Sequence, residues 1–169
     1  MQVSITGIPE LTNALQKLGP EVLRAADRGL QRAGAEIIVD AQNTLKSEHI
    51  NTTGLLSSSG RVVRTKEAGG GYDVGFMSGE KNYAGAVEYG RRAGRMPPPD
   101  MLDAWAYKKF HLKDRKASRA IGWAMAVHIG RHGTRPHPFF GPAVKKNHGR
   151  ILSAVRDAIT QVINRTGNV

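Results

Sequence analysis

Histidine is the residue type in this sequence whose spacing comes nearest to a metal site. His128 and His132 stand four residues apart on a predicted helix, a separation that places two ligands on one helical face. An HExxH motif would carry glutamate where Ile129 stands, and no acidic residue occurs between Asp114 and Asp157. We therefore predict no metal site and interpret the pair as solvated or helix-capping histidines. A metal-dependent hydrolase is kept as an alternative, because the spacing itself is compatible with zinc.

Other residue types that catalyse reactions do not form a constellation. The three serines at 57–59 lack the G-x-S-x-G turn of a hydrolase nucleophile, and the three glycines at 69–71 are not followed by the Lys-Ser/Thr of a phosphate-binding loop. Glu80 and Glu88 have no nucleophile or base to pair with. Cysteine is absent, which excludes thiolate catalysis and cysteine-ligated zinc. The sequence therefore predicts a protein that is not an enzyme and needs no cofactor.

Positive charge is concentrated in one part of the chain. Residues 91–135 hold 11 of the 25 Lys and Arg residues but only three of the 14 acidic ones, and four aromatic residues stand among them. Basic residues interleaved with aromatics can contact phosphates and stack on bases, or can face an acidic protein. Alternatively, Trp105 and Phe110 are core residues of a predicted helix and the charges form a solvated face. The candidate contacts to DNA or to an acidic partner are Lys108, Lys109, Lys113, Arg115, Lys116 and Arg119.

The chain is basic and has the length of an ordinary domain. Its 169 residues carry a formal net charge of +11, and 40% of them are hydrophobic, which is enough for a core. The N-terminus has neither the basic region nor the apolar run of a secretory signal. No apolar run approaches the roughly 20 residues of a membrane helix. We expect a single domain over residues 1–169 and no contact with a membrane.

Hydrophobic periodicity predicts the elements of the N-terminal half. The clearest is a long amphipathic helix at 21–47, whose apolar residues recur every three, four or seven positions. Alternation of apolar and polar residues predicts strands, and the glycines at 69–71 supply the positive φ that a hairpin turn needs. In chain order the predicted elements are a strand at 2–8, a short helix at 11–18, the long helix at 21–47, a polar loop at 49–60, strands at 61–65 and 72–76, and a third strand of the meander at Tyr83–Tyr89.

Proline and glycine punctuate the C-terminal half. After an Arg-rich and Pro-rich break at 91–99, Asp100 is predicted to cap a helix. A second helix at 117–131 ends at Gly133, and a last helix starts near Pro142. The inward-facing residues are expected to be Leu102, Trp105, Ala106 and Phe110 on the first helix and Ile121, Met125 and Ile129 on the second. The predicted fold class is α+β: a small antiparallel sheet packed against the long helix of the N-terminal half, with a helical insertion and a C-terminal helix.

Three fragments of the sequence, taken in order, resemble one family. N-T-T-G-L-L-S-S-S at 51–59 follows the long helix, N-Y-A-G-A-V-E-Y-G at 82–90 closes the predicted meander, and G-T-R-P-H-P-F-F-G-P-A at 133–143 leads into the last helix. Their order is similar to that of the HK97 gp10-like family of tail completion, or neck, proteins of tailed bacteriophages. The middle fragment matches the family's Tyr-Ala-x-x-Val-Glu-aromatic-Gly pattern. The last matches its Arg-Pro-Phe-hydrophobic-x-Pro-Ala pattern, with Pro136 and His137 interposed.

The resemblance, which extends over roughly residues 3–165, implies a non-enzymatic structural protein of the virion. Members of the family form rings of identical subunits at the junction between capsid and tail. The implied partners are further copies of the chain, expected as a hexamer, other neck and tail proteins, and the DNA that passes through the channel. The implied location is the tail or neck of the virion, reached from the host cytoplasm during assembly. Compact members have a short loop where this chain has a basic helical insertion at about 91–132, so the family assigns no role to the insertion.

The matched motifs supply candidate contacts with other subunits or partners. Phe139 and Phe140 are large apolar anchors that either pin the last helix to the sheet or dock a neighbouring subunit. Glu88 stands close in sequence to several arginines, and we predict an ion pair with Arg91, Arg92 or Arg135, within or between subunits. The candidate interface residues are Tyr83, Glu88, Tyr89, Arg91, Arg92, Arg95, Arg135, Phe139 and Phe140.

These observations predict a structural virion protein, a ring-forming tail completion or neck component needed for joining tail to head. The alternative is a DNA-binding accessory protein that uses residues 91–135. Outside that segment 14 basic residues face 11 acidic ones, so most of the excess charge belongs to the insertion.

Overall fold

A computed structural model describes residues 2–6, 20–50, 53–65, 71–77 and 83–166. The chain divides into two compact units. The first comprises Met1–Asn43, Gly60–Met77 and Phe140–Val169, and the second comprises Thr44–Ser59 and Ser78–Phe139. In chain order the elements are β1 (Gln2–Thr6), α1 (Pro20–Ser47), α2 (Leu55–Ser58), β2 (Gly60–Arg64), β3 (Gly71–Phe76), α3 (Tyr83–Tyr89), α4 (Pro99–Lys109), α5 (Arg115–His132) and α6 (Phe140–Thr166).

The first unit contains a three-stranded antiparallel sheet in the order β1-β3-β2. The register aligns Val74 of β3 with Val3 on one side and with Val62 on the other. Tyr72, Val74 and Phe76 of the central strand are buried, as expected for alternate residues on the covered face of a sheet. The predicted α+β class, the long helix and the strands at 61–65 and 72–76 are confirmed.

Small residues let α1 approach its neighbours in the first unit closely. A Cβ atom at Gly34 would lie 2.9 Å from the Val74 side chain, and one at Gly29 would lie 2.8 Å from the Ala154 carbonyl oxygen of α6. Real Cβ contacts are longer than this, so the helix can pack at these distances only with glycine. Val22 and Ala26 of α1 pack with Val155 of α6 in one apolar cluster.

A polar clasp joins α1 to α6 within this apolar packing. The buried Asn147 amide donates to Asp40 Oδ2 at 2.7 Å and to the Ala143 carbonyl at 2.9 Å, and Lys146 Nζ lies 3.1 Å from Asp40 Oδ1. These hydrogen bonds, chiefly that from Asn147, lower the pKa of Asp40. Because a buried amide must be hydrogen-bonded, the clasp favours one register of the two helices.

The second unit corrects one sequence prediction, since Tyr83–Tyr89 is a helix and not a third strand. Its alternating tyrosines and valine suggested a strand, but the two buried residues are Ala84 and Glu88. Residues four apart share a face of a helix. The helical conformation therefore turns one small side chain and one carboxylate inward together.

Helices α4 and α5 form a hairpin within the second unit, and the closest contacts are made by small side chains. Ser118, Gly122 and Ala126, four residues apart, are the buried residues of α5. A Cβ atom at Gly122 would lie 2.6 Å from the Asp103 backbone nitrogen of α4, and the Ser118 hydroxyl donates to the Asp103 carboxylate. The residues predicted to face inward, Ile121, Met125 and Ile129, are only half-buried because they flank this ridge.

Smaller corrections concern the ends of helices. Helix α4 starts at Pro99 after an N-cap at Pro98, so Asp100 lies in the first turn and is not the cap. Phe110, predicted to face inward, is past the helix end and half-exposed, and its ring packs edge-on against Trp105 at 5.8 Å. Helix α6 begins at Phe140, two residues earlier than predicted, and the predicted loop at 49–60 contains the single turn of α2.

Two predictions concern residues outside the described ranges. The short helix at 11–18 and the first two glycines of the turn at 69–71 are not among the described residues. None of the described helices is long and apolar enough to cross a membrane.

Candidate interaction surface

The basic insertion begins and ends at one point, where two backbone segments are bridged. The Arg91 N–H donates to the Thr134 carbonyl at 3.1 Å, and the Thr134 N–H donates to the Arg91 carbonyl at 2.8 Å. Gly90 and Gly133, both with φ above +70°, flank this bridge. A Cβ at Gly90 would lie 2.6 Å from the Thr134 carbonyl oxygen, so the crossing requires glycine for space as well as for its dihedral angle. The hairpin is thus fixed at its base.

Glu88 holds the two family-like motifs together beside this bridge. Its Oε2 accepts a hydrogen bond from the Phe139 N–H at 2.8 Å, and the His137 N–H donates to the Val87 carbonyl at 2.8 Å. Glu88 is 4% exposed and Phe139 is 1% exposed. A buried carboxylate that accepts from backbone N–H groups is a strong fixed contact. Glu88 therefore positions the chain that leads into α6. The predicted ion pair of Glu88 with an arginine stays a prediction.

The candidate interface residues fall into two groups by exposure. Glu88, Phe139 and Phe140 are buried, and the Phe140 ring packs edge-on against Phe76 in the first unit at 5.7 Å. Tyr83 is half-buried, and burial raises the pKa of its hydroxyl. Arg91 is half-buried, and its guanidinium donates to the Arg95 carbonyl. The candidates that face solvent are Tyr89, Arg92, Arg95 and Arg135.

The insertion presents its charge to solvent. Of its eleven Lys and Arg residues between 91 and 135, all except Arg91 are exposed, including the six candidate contacts at 108–119. The three ion pairs found among described residues lie in the first unit, at Arg32–Glu36, Arg64–Asp27 and Lys146–Asp40. In the hairpin, Arg115 lies over the Tyr107 ring at 4.4 Å, and Asp114 caps α5 by accepting from two N–H groups. The hairpin therefore carries an exposed positive charge.

The residues first considered for chemistry are engaged in local structure. The rings of His128 and His132 stack at 4.4 Å near the end of α5, where positive charge suits the helix dipole. The described residues contain no cluster of three groups suited to a metal. The Ser58 and Ser59 hydroxyls donate to the carbonyls of Leu55 and Leu56.

Several residues that shape this surface are not apparent from residue types alone. Gly90 and Gly133 make the crossing possible, and Gly122 sets the separation of α4 and α5. The recurrence of small residues every four positions in α5 is the signal that could have revealed the helix contact. Trp123, one of the four aromatic residues among the basic residues of 91–135, is 60% exposed.

Comparison with known proteins finds a family that matches the chain up to the start of the basic insertion. Residues 10–90 match the model of a family described as "Bacteriophage HK97-gp10, putative tail-component". The match ends at Gly90, where the insertion begins, and is thus narrower than the range over which the motifs suggested resemblance. No curated protein and no solved structure matches the chain. Residues 10–90 of this chain, just under half of its length, are therefore similar to the HK97 gp10-like family of bacteriophage tail components.

Proposed function

We propose that this chain is a ring-forming tail completion, or neck, protein that helps to join the phage tail to the head. The match of residues 10–90 to a family of phage tail components supports the virion location and a non-enzymatic role. Ring formation and head-to-tail joining go beyond the family description. They are inferred from the surface of the second unit.

The observation that carries the proposal is the exposure of Tyr89 at the end of a motif that is otherwise engaged inside the fold. Glu88, its neighbour, is buried and fixed to the Phe139 N–H, whereas Tyr89 is 70% exposed. A tyrosine side chain loses little conformational entropy on binding because it has few rotatable bonds, and aromatic and arginine residues are enriched at interfaces. Arg92 and Arg95 follow Tyr89 closely in the chain, Arg135 adjoins the Arg91–Thr134 bridge, and all three are exposed.

The test compares two exposed apolar residues of the second unit. We expect Tyr89→Ala to reduce the fraction of protein in rings by about tenfold, measured by solution mass and negative-stain images with the chain's own neck and tail partners present. Leu55→Ala, which removes an equally exposed side chain from α2, should leave that fraction unchanged. Rings formed as well by Tyr89→Ala as by the natural chain would contradict the role of this motif.

DNA binding by the insertion is a second candidate function, favoured by the ten exposed basic residues and by their lack of ion pairs with described carboxylates. It predicts affinity that falls steeply with salt, because each phosphate contact releases counterions. Arg92→Glu combined with Arg95→Glu should then abolish a gel shift. These two are preferable to Arg91, whose backbone belongs to the bridge. Negligible binding near 0.15 M salt would reject this candidate.

A further inference from the structure

Helix α5 presents to solvent a face that differs from the rest of the basic insertion. Ser118, Gly122 and Ala126 turn toward α4, so the residues on the other side of the helix are free of that contact. We define the α5 outer face by six of these residues, which are Lys116, Ala120, Trp123, Ala124, Val127 and Arg131, together with Arg119, which lies at its edge nearer α4. All are exposed except Val127, which is half-buried.

The α5 outer face has an apolar centre and a basic rim. Trp123 is 60% exposed and stands between the small residues Ala120 and Ala124. Lys116 and Arg119 lie toward the start of the helix and Arg131 at its end, while the eighteen residues of α5 include no acidic side chain. Tryptophan is rarely left open to water without reason, and an aromatic centre with a charged rim is the usual anatomy of a protein interface.

We infer that the α5 outer face docks an acidic protein segment that carries apolar side chains. The inference rests on the proposed function, since it names the kind of virion partner that the insertion would contact. Charge complementarity selects the partner, because the rim is entirely basic and its charges have no described counterpart within the chain. The same argument excludes the outer face of a second copy, which would bring like charges together.

The spacing of the rim favours a protein over nucleic acid. Arg119 and Arg131 are twelve residues apart, or about 18 Å along the helix. Between them the face offers Ala120, Trp123, Ala124 and Val127, none of which can neutralise a phosphate. A phosphate backbone laid along the helix would meet apolar atoms over most of its length, whereas an amphipathic segment would bury them.

The test is a binding selection, in which the protein captures helices of different charge and hydrophobicity. A displayed library contains helices about 18 residues long. Each helix carries leucine or alanine at its central positions, and glutamate or lysine, in equal proportion across the library, at the surrounding positions. Selection on the full chain should enrich acidic rims with leucine centres. Against the best selected helix, Trp123→Ala should weaken binding by about 30-fold and Arg119→Glu by about tenfold or more.

Two matched variants serve as controls, and DNA serves as the rival ligand. Leu55→Ala removes exposed apolar area elsewhere in the second unit, and Lys113→Glu reverses an exposed charge just outside α5, so both should bind the helix like the natural chain. Selection of lysine rims, or of helices that bind Trp123→Ala equally well, would overturn the inference. A single-stranded or duplex DNA of about 20 nucleotides that binds more tightly than any selected helix, and that depends on Trp123, would also overturn it.

The outcome separates this inference from the proposed function. If Trp123→Ala and the natural chain both form rings while no acidic helix is selected, the inference fails and the ring-forming role stands. If the natural chain forms no ring with its partners but selects acidic helices through Trp123, the proposed function fails and the docking surface stands.

Discussion

The close contact of Gly122 in α5 with α4 offers a test in which one kind of substitution should have opposite effects at two sites. At Gly122 of α5, an added Cβ would lie 2.6 Å from the Asp103 nitrogen and 2.9 Å from the Asp103 Cα. Both atoms belong to the α4 backbone, which cannot rotate aside as a flexible side chain would. At Gly149 of α6, the same atom would have nothing within 4 Å.

The expected magnitudes follow from two competing terms. Alanine is more favourable than glycine inside a helix by about 1 kcal/mol. Overpacking against a backbone costs about 1–3 kcal/mol, because the helices must separate. Separation would also lengthen the hydrogen bond from Ser118 to Asp103. These two terms leave a net loss of about 0–2 kcal/mol, and weakening the Ser118–Asp103 hydrogen bond adds about 1 kcal/mol. Gly122→Ala should therefore lower the free energy of unfolding by about 1–3 kcal/mol, whereas Gly149→Ala should raise it by up to about 1 kcal/mol.

Urea unfolding followed by circular dichroism and tryptophan fluorescence measures both effects. Trp105 and Trp123 lie in the hairpin and report its unfolding, while circular dichroism reports the whole chain. Hydrogen exchange in α4 and α5 should accelerate in Gly122→Ala and stay unchanged in Gly149→Ala. If Gly122→Ala were as stable as the natural chain, the close packing of α4 on α5 would be refuted.

Three further outcomes follow from single contacts. Glu88→Ala removes the acceptor of the Phe139 N–H and should cost about 1–3 kcal/mol in urea unfolding, most of which Glu88→Gln should restore. Asp114→Ala removes the N-cap of α5 and should cost about 1 kcal/mol, whereas Asp114→Ser should cost little. The lowered pKa of Asp40, due mainly to the Asn147 hydrogen bond, means that its stabilisation is present above its ordinary pKa and is lost as pH falls through the lowered value. Unfolding measured from about pH 5 to pH 2 should therefore show a smaller acid loss in Asn147→Ala; an unchanged acid loss would contradict this.

The sequence was sufficient to predict the positions of the long helix and of two strands. The 28 residues of α1 and the strands β2 and β3 fall within about one residue of their predicted positions, because tertiary packing there agrees with the local pattern. The strand predicted at Tyr83–Tyr89 was wrong. Its seven residues are too few to distinguish the residue period of a strand from that of a helix. The helix places the buried Glu88 carboxylate where it accepts from the Phe139 N–H, a contact that the local pattern does not contain.

The sequence predicted the charge of the candidate surface but not which of its aromatic residues are exposed. The sequence located the basic residues of the insertion, and the structure exposes ten of the eleven. It could not tell that Phe139 is enclosed while Tyr89 is exposed, because both are aromatic residues in family-like motifs. That difference depends on which backbone segments cross at Gly90 and Gly133, and a crossing is a long-range contact.

We propose above all that this chain closes into a ring in the neck of the virion. The most direct measurement is the solution mass of the natural chain, with negative-stain images, taken alone and together with its own neck and tail proteins. We expect closed rings of identical subunits in the presence of those partners, whether or not the chain alone is monomeric. A strictly monomeric chain under both conditions would contradict it.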